Sequence, residues 1–535
     1  MPRVRKKWSS AVVLAAAFIV VSSACVGDDQ DQGENGQGPL GSVVAGSGNL
    51  ASGAGGITSG AAAQVGGTAG SHSLRGNAGA QNARSGASSP DAVGSAAPSA
   101  GGGAVTAGAF VDEPAPADPT APLTPVAFFP SKDRANACAD ASVSIRFNRP
   151  PIIKAGGKIQ IVDASGAVFD SVTSSPSSGL YFAGLVTRTS GGSRFKSEVL
   201  DVVYDTVVFH PKGKLSYGKT YYVTVDAGMI TDELGTRFAV TRSDKWTFTV
   251  RGQAPAASTS YTLAADGSGD YCSIEGVLEA LPKSAAKRRM IQVERGVYPG
   301  IVRLSHSQLH FVGAGLDKSV FAHKNSTTMN ASREGIVLTG SDVTFENLTI
   351  FNTYLKDSNG QQAEALHVAR GSQRVFLKNV HLRSHQDTLR VDGSAYMEGG
   401  KISGSTDPLW GYGAFYCDGC ELSSRTSGHA FVVTRSTQGF GLVNCRVTRE
   451  SNAVSSTYLA QYHDGSEPGK IAFVKCKMDS HVTGWRRAQN NAWYEYENTR
   501  LQSGAPLRFD GKQLTAGSPV LAALSSAKNW LGWSP

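Results

Sequence analysis

From residue 124 to residue 250 apolar and polar side chains alternate in short runs. Val143-Ser144-Ile145-Arg146-Phe147, Lys158-Ile159-Gln160-Ile161-Val162, Thr206-Val207-Val208-Phe209, Tyr221-Tyr222-Val223-Thr224-Val225 and Trp246-Thr247-Phe248-Thr249-Val250 each place every second side chain on one face. That is the period of a half-buried strand. Gly156-Gly157 and Gly213 punctuate the runs, and no helical pattern interrupts them. The stretch predicts an all-β sandwich. From residue 261 the pattern changes. Ile274, Val277, Leu278 and Leu281 share one face of a short amphipathic helix. A degenerate repeat follows in Asn347-Leu348-Thr349-Ile350, Asn379-Val380-His381-Leu382, Gly399-Gly400-Lys401-Ile402, Gly419-Cys420-Glu421-Leu422, Asn444-Cys445-Arg446-Val447 and Lys475-Cys476-Lys477-Met478. A turn-former or polar residue precedes a short strand each time, at intervals of about 20 to 32 residues. Two-residue hairpin signals are missing. This predicts a right-handed parallel β-helix, each coil burying its inward side chains against the next.

Composition adds two further regions. Residues 26–122 are rich in Gly, Ala, Ser, Asn and Gln and hold almost no large apolar side chain. Such a segment cannot offset its ordering entropy by burial, so it reads as a disordered tether or interdomain linker. Residues 1–25 read as a signal peptide: a basic start, an apolar run from Ala11 to Val21, then Ser22-Ser23-Ala24-Cys25. The run is short for a membrane span. Ser22-x-Ala24 fits ordinary cleavage; small residues before Cys25 also resemble a bacterial lipobox with Cys25 lipidated. The two readings lead to a secreted protein or to a cell-surface, outer-membrane lipoprotein of a bacterium. The predicted domains are therefore 1–25, 26–122, a sandwich at 123–252 and a β-helix at 258–535.

The formal net charge is +8, and Arg3, Arg5, Lys6 and Lys7 in the leader supply four of those positives. The remaining +4 is too diffuse for a nucleic-acid partner and is compatible with an acidic polysaccharide. Seven cysteines are present, and setting Cys25 aside leaves six whose pairing is not readable from sequence. Cys417-x-x-Cys420 lacks a second pair at zinc spacing, so a structural role is expected.

Candidate chemistry concentrates between Ser384 and Gly411. Asp387 lies in His385-Gln386-Asp387-Thr388-Leu389 and Asp407 in Ser405-Thr406-Asp407-Pro408-Leu409-Trp410-Gly411. If the intervening chain is one coil, the carboxylates stand about 4.8 Å apart. Like charges at that distance push one pKa up and the other down, giving an acid and a nucleophile for ester cleavage without a serine. A lone Asp in such a turn is usually a cap; two in ordered motifs are not. His381 and His385 lie on a strand and a turn, which does not make a metal site.

These motifs resemble the pectin methylesterase family of β-helical carbohydrate esterases over roughly residues 261–506. Asp266-Gly267-Ser268-Gly269-Asp270-Tyr271 resembles the family's opening, Gly296-Val297-Tyr298 the strand after it, and Phe345-Glu346-Asn347-Leu348-Thr349 the strand leading to the site. Gln362-Ala363-Glu364-Ala365-Leu366, Gln386-Asp387-Thr388-Leu389 and Thr406-Asp407-Pro408-Leu409-Trp410-Gly411 match its three site motifs, with Pro408-Leu409 in place of Phe-Ile. The resemblance implies Asp407 as nucleophile, Asp387 as general acid and base, and Gln362 and Gln386 as oxyanion donors. It also implies methylated pectin or a related acidic polysaccharide as partner, a monomer, and no cofactor or metal. Trp410, Tyr412, Gln461 and Trp485 are the expected substrate contacts. The segment from Tyr217 to Gly235 resembles bacterial immunoglobulin-like modules, usually spacers or adhesion units. The family's Leu-Gly-Arg-Pro-Trp motif is replaced by Tyr458-Leu459-Ala460-Gln461-Tyr462-His463, so Gln461 stands where an arginine orients the nucleophile. Arg435, Arg486 and Arg487 are candidates to compensate. An impaired, polysaccharide-binding homologue and an esterase retuned to another ester are the alternatives that this replacement raises.

Overall fold

The computed structural model describes residues 121–176, 182–354, 361–461, 469–486 and 492–535. The expected leader, tether and lipid-bearing Cys25 lie outside them, as do Tyr462, His463 and Arg487.

All five alternating runs form strands of one sandwich. One sheet orders Pro125–Phe129, Val143–Phe147, Thr206–Phe209 and Leu200–Val203. The other orders Arg134–Ala137, Thr247–Val250, Thr220–Thr231, Lys158–Asp163 and Val168–Thr173. Val143, Ile145 and Phe147 face Tyr221, Val223 and Phe248 in one core that also holds Trp246. Thr247–Val250 and the first half of Thr220–Thr231 bury every second residue, as the period demands, whereas Thr206–Phe209 is buried throughout.

From residue 260 onward the strands stack in three parallel sheets of 11, 9 and 8 strands, each coil contributing one strand to each sheet. The expected helix, Ile274–Ala280, begins at an N-cap formed by Ser273, whose side chain accepts from the Gly276 amide. The repeat seen in sequence marks the corner between the first and second sheets. There Asn347, Asn379, Gly399, Gly419, Asn444, Lys475 and Glu497 all hold φ between 48° and 67°. Gly and Asn enter that left-handed region at least cost, which is why the corner shows in the sequence. Behind it Cys420, Cys445 and Cys476 point inward on successive coils in the apolar core. Cys417 and Cys420 are disulfide-bonded, whereas Cys445 and Cys476 are buried thiols.

The sandwich docks directly on the coil. A Cys138–Cys272 disulfide joins them, and the Asp140 carboxylate accepts hydrogen bonds from the Cys272 and Ser273 amides at 3.1 and 2.7 Å. Val203 and Val208 pack on Val320 and Ala322, and Tyr204 stacks on Phe351 at 5.4 Å. The buried Lys324 ammonium lies 2.9 Å from both Glu198 and Asp201. Farther along, the hairpin of Leu185–Ser190 and Ser193–Glu198 exchanges hydrogen bonds with Asn330 through Lys196, at 2.7 and 2.9 Å. The module therefore packs against the coil as a wall; its expected role was a spacer or an adhesion unit.

Candidate active site

Register decides what meets what. Leu389 pairs with Leu409 in the third sheet, and Gln386 bridges to Thr406 just ahead of it. Asp387 and Asp407 consequently occupy the same place on adjacent coils, and the Asp387 amide donates to the Thr406 carbonyl at 3.0 Å. Both residues hold left-handed backbone, φ 59° and 46°. Asp tolerates this conformation better than most residues, but it costs energy, and such strain is common where a side chain must be aimed. Both carboxylates are buried. Gln362 and Gln386 are half-buried, and among the described residues their side-chain amides bond no protein group. Their donors are thus available to a ligand.

The partners of the two aspartates differ. Asp407 accepts a hydrogen bond from Gln461 Nε2 at 2.9 Å. Gln461 Oε1 in turn accepts from Arg486 Nη1 at 3.2 Å. Gln461 therefore contacts the carboxylate, and the arginine stands one residue behind it. Of the other candidate arginines, Arg435 donates to the Tyr412 hydroxyl at 2.8 Å and turns to the rim. Asp387 faces Arg333, whose Nη2 is 3.8 Å from Oδ2. The same guanidinium donates through Nε to Glu364 Oε1 at 3.0 Å. Glu364 is fully buried, and its Oε2 has no partner among the described residues.

Proximity of two like charges predicts one pKa raised and one lowered; both are in fact raised. Burial pushes Asp407 up to about 7, against the lowering by the Gln461 hydrogen bond and the Arg486 charge. Burial also pushes Asp387 well above the usual carboxylate range, with Glu364 and then Asp407 adding to the rise and Arg333 and Arg390 opposing it. The expectation fails because desolvation of both carboxylates exceeds any charge compensation.

Around the carboxylates, Arg390 and Arg333 lie over the Trp410 ring at 4.4 and 5.5 Å. Tyr412 is exposed and stands edge-on to Trp410 at 6.2 Å. His367 bridges Glu334 and Asp392 at 3.1 and 2.9 Å, and Arg390 donates to Asp392 at 2.7 Å. Trp485, expected to meet substrate, is packed inside instead. It is stacked on Trp493 at 4.9 Å and donates its indole N–H to Glu495 at 2.7 Å. Its apolar ring fills the coil interior, which outweighs any surface role. Sequence reasoning quoted Glu364 within a motif but assigned it nothing, and it missed Arg333. The signal was there in a buried-position glutamate two residues after Gln362. Two groups of side chains among the described residues stand close enough to share a metal, and each includes a disulfide.

Residues 260–500 match the family model for pectinesterase, and residues 118–250 match that for a bacterial Ig-like domain. The chain is 27% identical over 345 residues to pectinesterase A of Dickeya dadantii (strain 3937), covering 53% of this chain and 94% of that protein. It is 24% identical over 269 residues to pectinesterase 31 of Arabidopsis thaliana, covering 45% and 83%. Among solved structures it is similar to pectin methylesterase PemA from Erwinia chrysanthemi, with TM-score 0.45, 23% identity, and coverage of 52% and 99%.

Proposed function

We propose, on the premise that residues 260–500 form a pectinesterase-family domain, that this protein is an exported carboxylic ester hydrolase acting on methyl esters of galacturonate units in pectin. The observation that carries the reading is the placement of Asp387 and Asp407 at one register on adjacent coils. Gln362 and Gln386, whose side-chain amides bond no protein group among the described residues, belong to the same stretch of coils.

Ionised Asp407 attacks the ester carbonyl carbon. The carbonyl π pair moves onto oxygen, where Gln362 and Gln386 donate hydrogen bonds, a contribution of about 2.7–4 kcal/mol per donor in comparable sites. The intermediate collapses, the bond to the methoxy oxygen breaks, and Asp387 supplies the proton that makes methanol. An anhydride between Asp407 and the sugar acid remains. Asp387, now ionised, takes a proton from water as that water attacks. The bond between the acyl carbon and Asp407 then breaks, which frees the sugar acid and returns Asp407 ionised and Asp387 protonated. Gln461 orients Asp407, with Arg486 behind it supplying charge. Tyr412 and Trp410 flank the nucleophile and offer aromatic faces to sugar rings. The basic, apolar N-terminal leader supports export, and Cys25 as a lipid attachment would hold the enzyme at the cell surface.

The test is methanol release from highly methylated pectin by the full chain. Release by the wild type that disappears in Asp407→Ala is the expected result. A wild type that binds pectin but frees no methanol overturns the enzyme reading. It would favour the non-catalytic binder that the neutral Gln461 motivates. Release from a different ester alone would favour the retuned esterase.

A further inference from the structure

Ile336 pairs with Leu366, Leu366 with Leu389 and Leu389 with Leu409. Two residues before each of these stand Glu334, Glu364, Asp387 and Asp407. Four carboxylates therefore file along one corner of four consecutive coils. The proposed chemistry uses the last two. Glu334 is satisfied by Ser332 and by His367, which Asp392 and Arg390 complete into a closed network. Glu364 is the member left over. It is wholly enclosed, one oxygen bonded to Arg333 and the other to nothing among the described residues.

A buried carboxylate is retained at such a place only against a cost. The charged groups facing Asp387 are Glu364, Arg333, Asp407 and Arg390. Those facing Glu364 are Arg333, Glu334, His367, Arg390 and Arg303, with Asp387 across the shared guanidinium. Arg390 is 2.7 Å from Asp392 and committed there. Arg333 is thus the cation shared between Glu364 and Asp387, and the distances are unequal: 3.0 Å to Glu364 and 3.8 Å to Asp387. We propose that Glu364 and Arg333 are a positioning pair, in which Glu364 draws the guanidinium away from Asp387 so that the transferable proton stays on Asp387. The inference rests on the reading of Asp387 as the acid. Without Glu364, Asp387 is the nearest carboxylate left to the guanidinium, Glu334 being already held by Ser332 and His367. It then favours the ionised form of Asp387, which cannot protonate a leaving alcohol.

The test is kcat/KM against pH on methylated pectin for the full chain, Glu364→Gln, Arg333→Gln and the double variant. In Glu364→Gln the alkaline, descending limb is expected to move down by about one pH unit or more, the usual reach of an unshared Arg on an Asp. In the double variant it returns upward, because the offending cation is gone; in Arg333→Gln alone it moves above the wild type. An unmoved limb in Glu364→Gln, or a double variant that keeps the displacement, overturns the proposal. The infrared band of protonated carboxyls gives a readout without turnover, with the Asp387 component identified by its loss in Asp387→Asn. Its titration midpoint should fall in Glu364→Gln. If the wild type frees no methanol, the enzyme reading fails while this midpoint still decides the pair. Should Glu364→Gln not fold, Glu364→Asp, whose shorter side chain loosens its hold on the guanidinium, should move the limb in the same downward direction, and an unmoved limb there overturns the proposal.

Discussion

Asp387 and Asp407 share a register position, a left-handed backbone and a buried setting one coil apart. Their surroundings are nevertheless built on opposite plans. Each has a guanidinium near it, placed differently. For Asp407 a neutral group stands between: Gln461 touches the carboxylate and Arg486 touches Gln461. For Asp387 nothing stands between, but a second acid competes: Arg333 lies 3.8 Å from Asp387 and makes its closer bond, 3.0 Å, to Glu364. The repeating backbone makes the two sites equivalent, and the side chains around them make them different. An amide lets part of a positive charge through and favours ionisation. A carboxylate cancels it and favours the proton. A repeat fold can thus assign unlike roles to like residues without altering its path.

The comparison can be broken or sharpened at several points. Asp407→Asn removes the proposed nucleophile and should lower kcat/KM by about 10⁴-fold or more in the methanol assay, as losses at groups acting in a unit do. Gln461→Leu removes one hydrogen-bond donor from the buried Asp407; kcat should fall about 10- to 100-fold, a cost on the scale of one lost hydrogen bond to a charged group. Gln461→Arg places a guanidinium directly on Asp407. The ascending limb of kcat/KM, set by ionisation of Asp407 near 7, should then move down by about one to three pH units. Arg486→Gln should move the same limb upward by less than about one unit, because the lost charge acts through an intermediary.

Stability offers a separate check. Folding raises the Asp407 pKa from 3.8 to about 7, so the folded state binds the proton more tightly than the unfolded chain. This group's contribution is therefore fully favourable below about pH 4 and declines as pH rises to about 7, by up to about 4 kcal/mol. Asp407→Asn should flatten that decline, so the variant gains on the wild type between urea melts at pH 5 and pH 8.

Much of this was legible in the chain. Alternation named the sandwich strands, and the corner residues with positive φ named the coil, because Gly and Asn are chosen there for backbone reasons alone. The motifs around Asp387 and Asp407 named the carboxylate pair. What stayed hidden depends on register across unequal loops. Glu364 lies 23 residues before Asp387, and Asp407 lies 20 after it, with no constant period to align them. Arg486 was among the arginines named to compensate for Gln461, but Arg333 reaches Asp387 from an earlier coil, which linear spacing does not reveal. Trp485 was misplaced for a related reason: its neighbours in sequence do not tell which side of the strand faces the core. The docking of the two domains left no local trace, since Asp140 and Cys138 meet Cys272 and Ser273 across more than 130 residues.

The Lys196–Asn330 exchange gives the sandwich a reach beyond its own border. Asn330 stands three residues before Arg333, on the same excursion of chain that delivers the guanidinium. The immunoglobulin-like module is thereby a bracket for a loop that it does not itself contain. Cutting the protein between its two folds would not yield two independent parts, because the coil would keep its reactive groups and lose the splint that holds one of them at its angle.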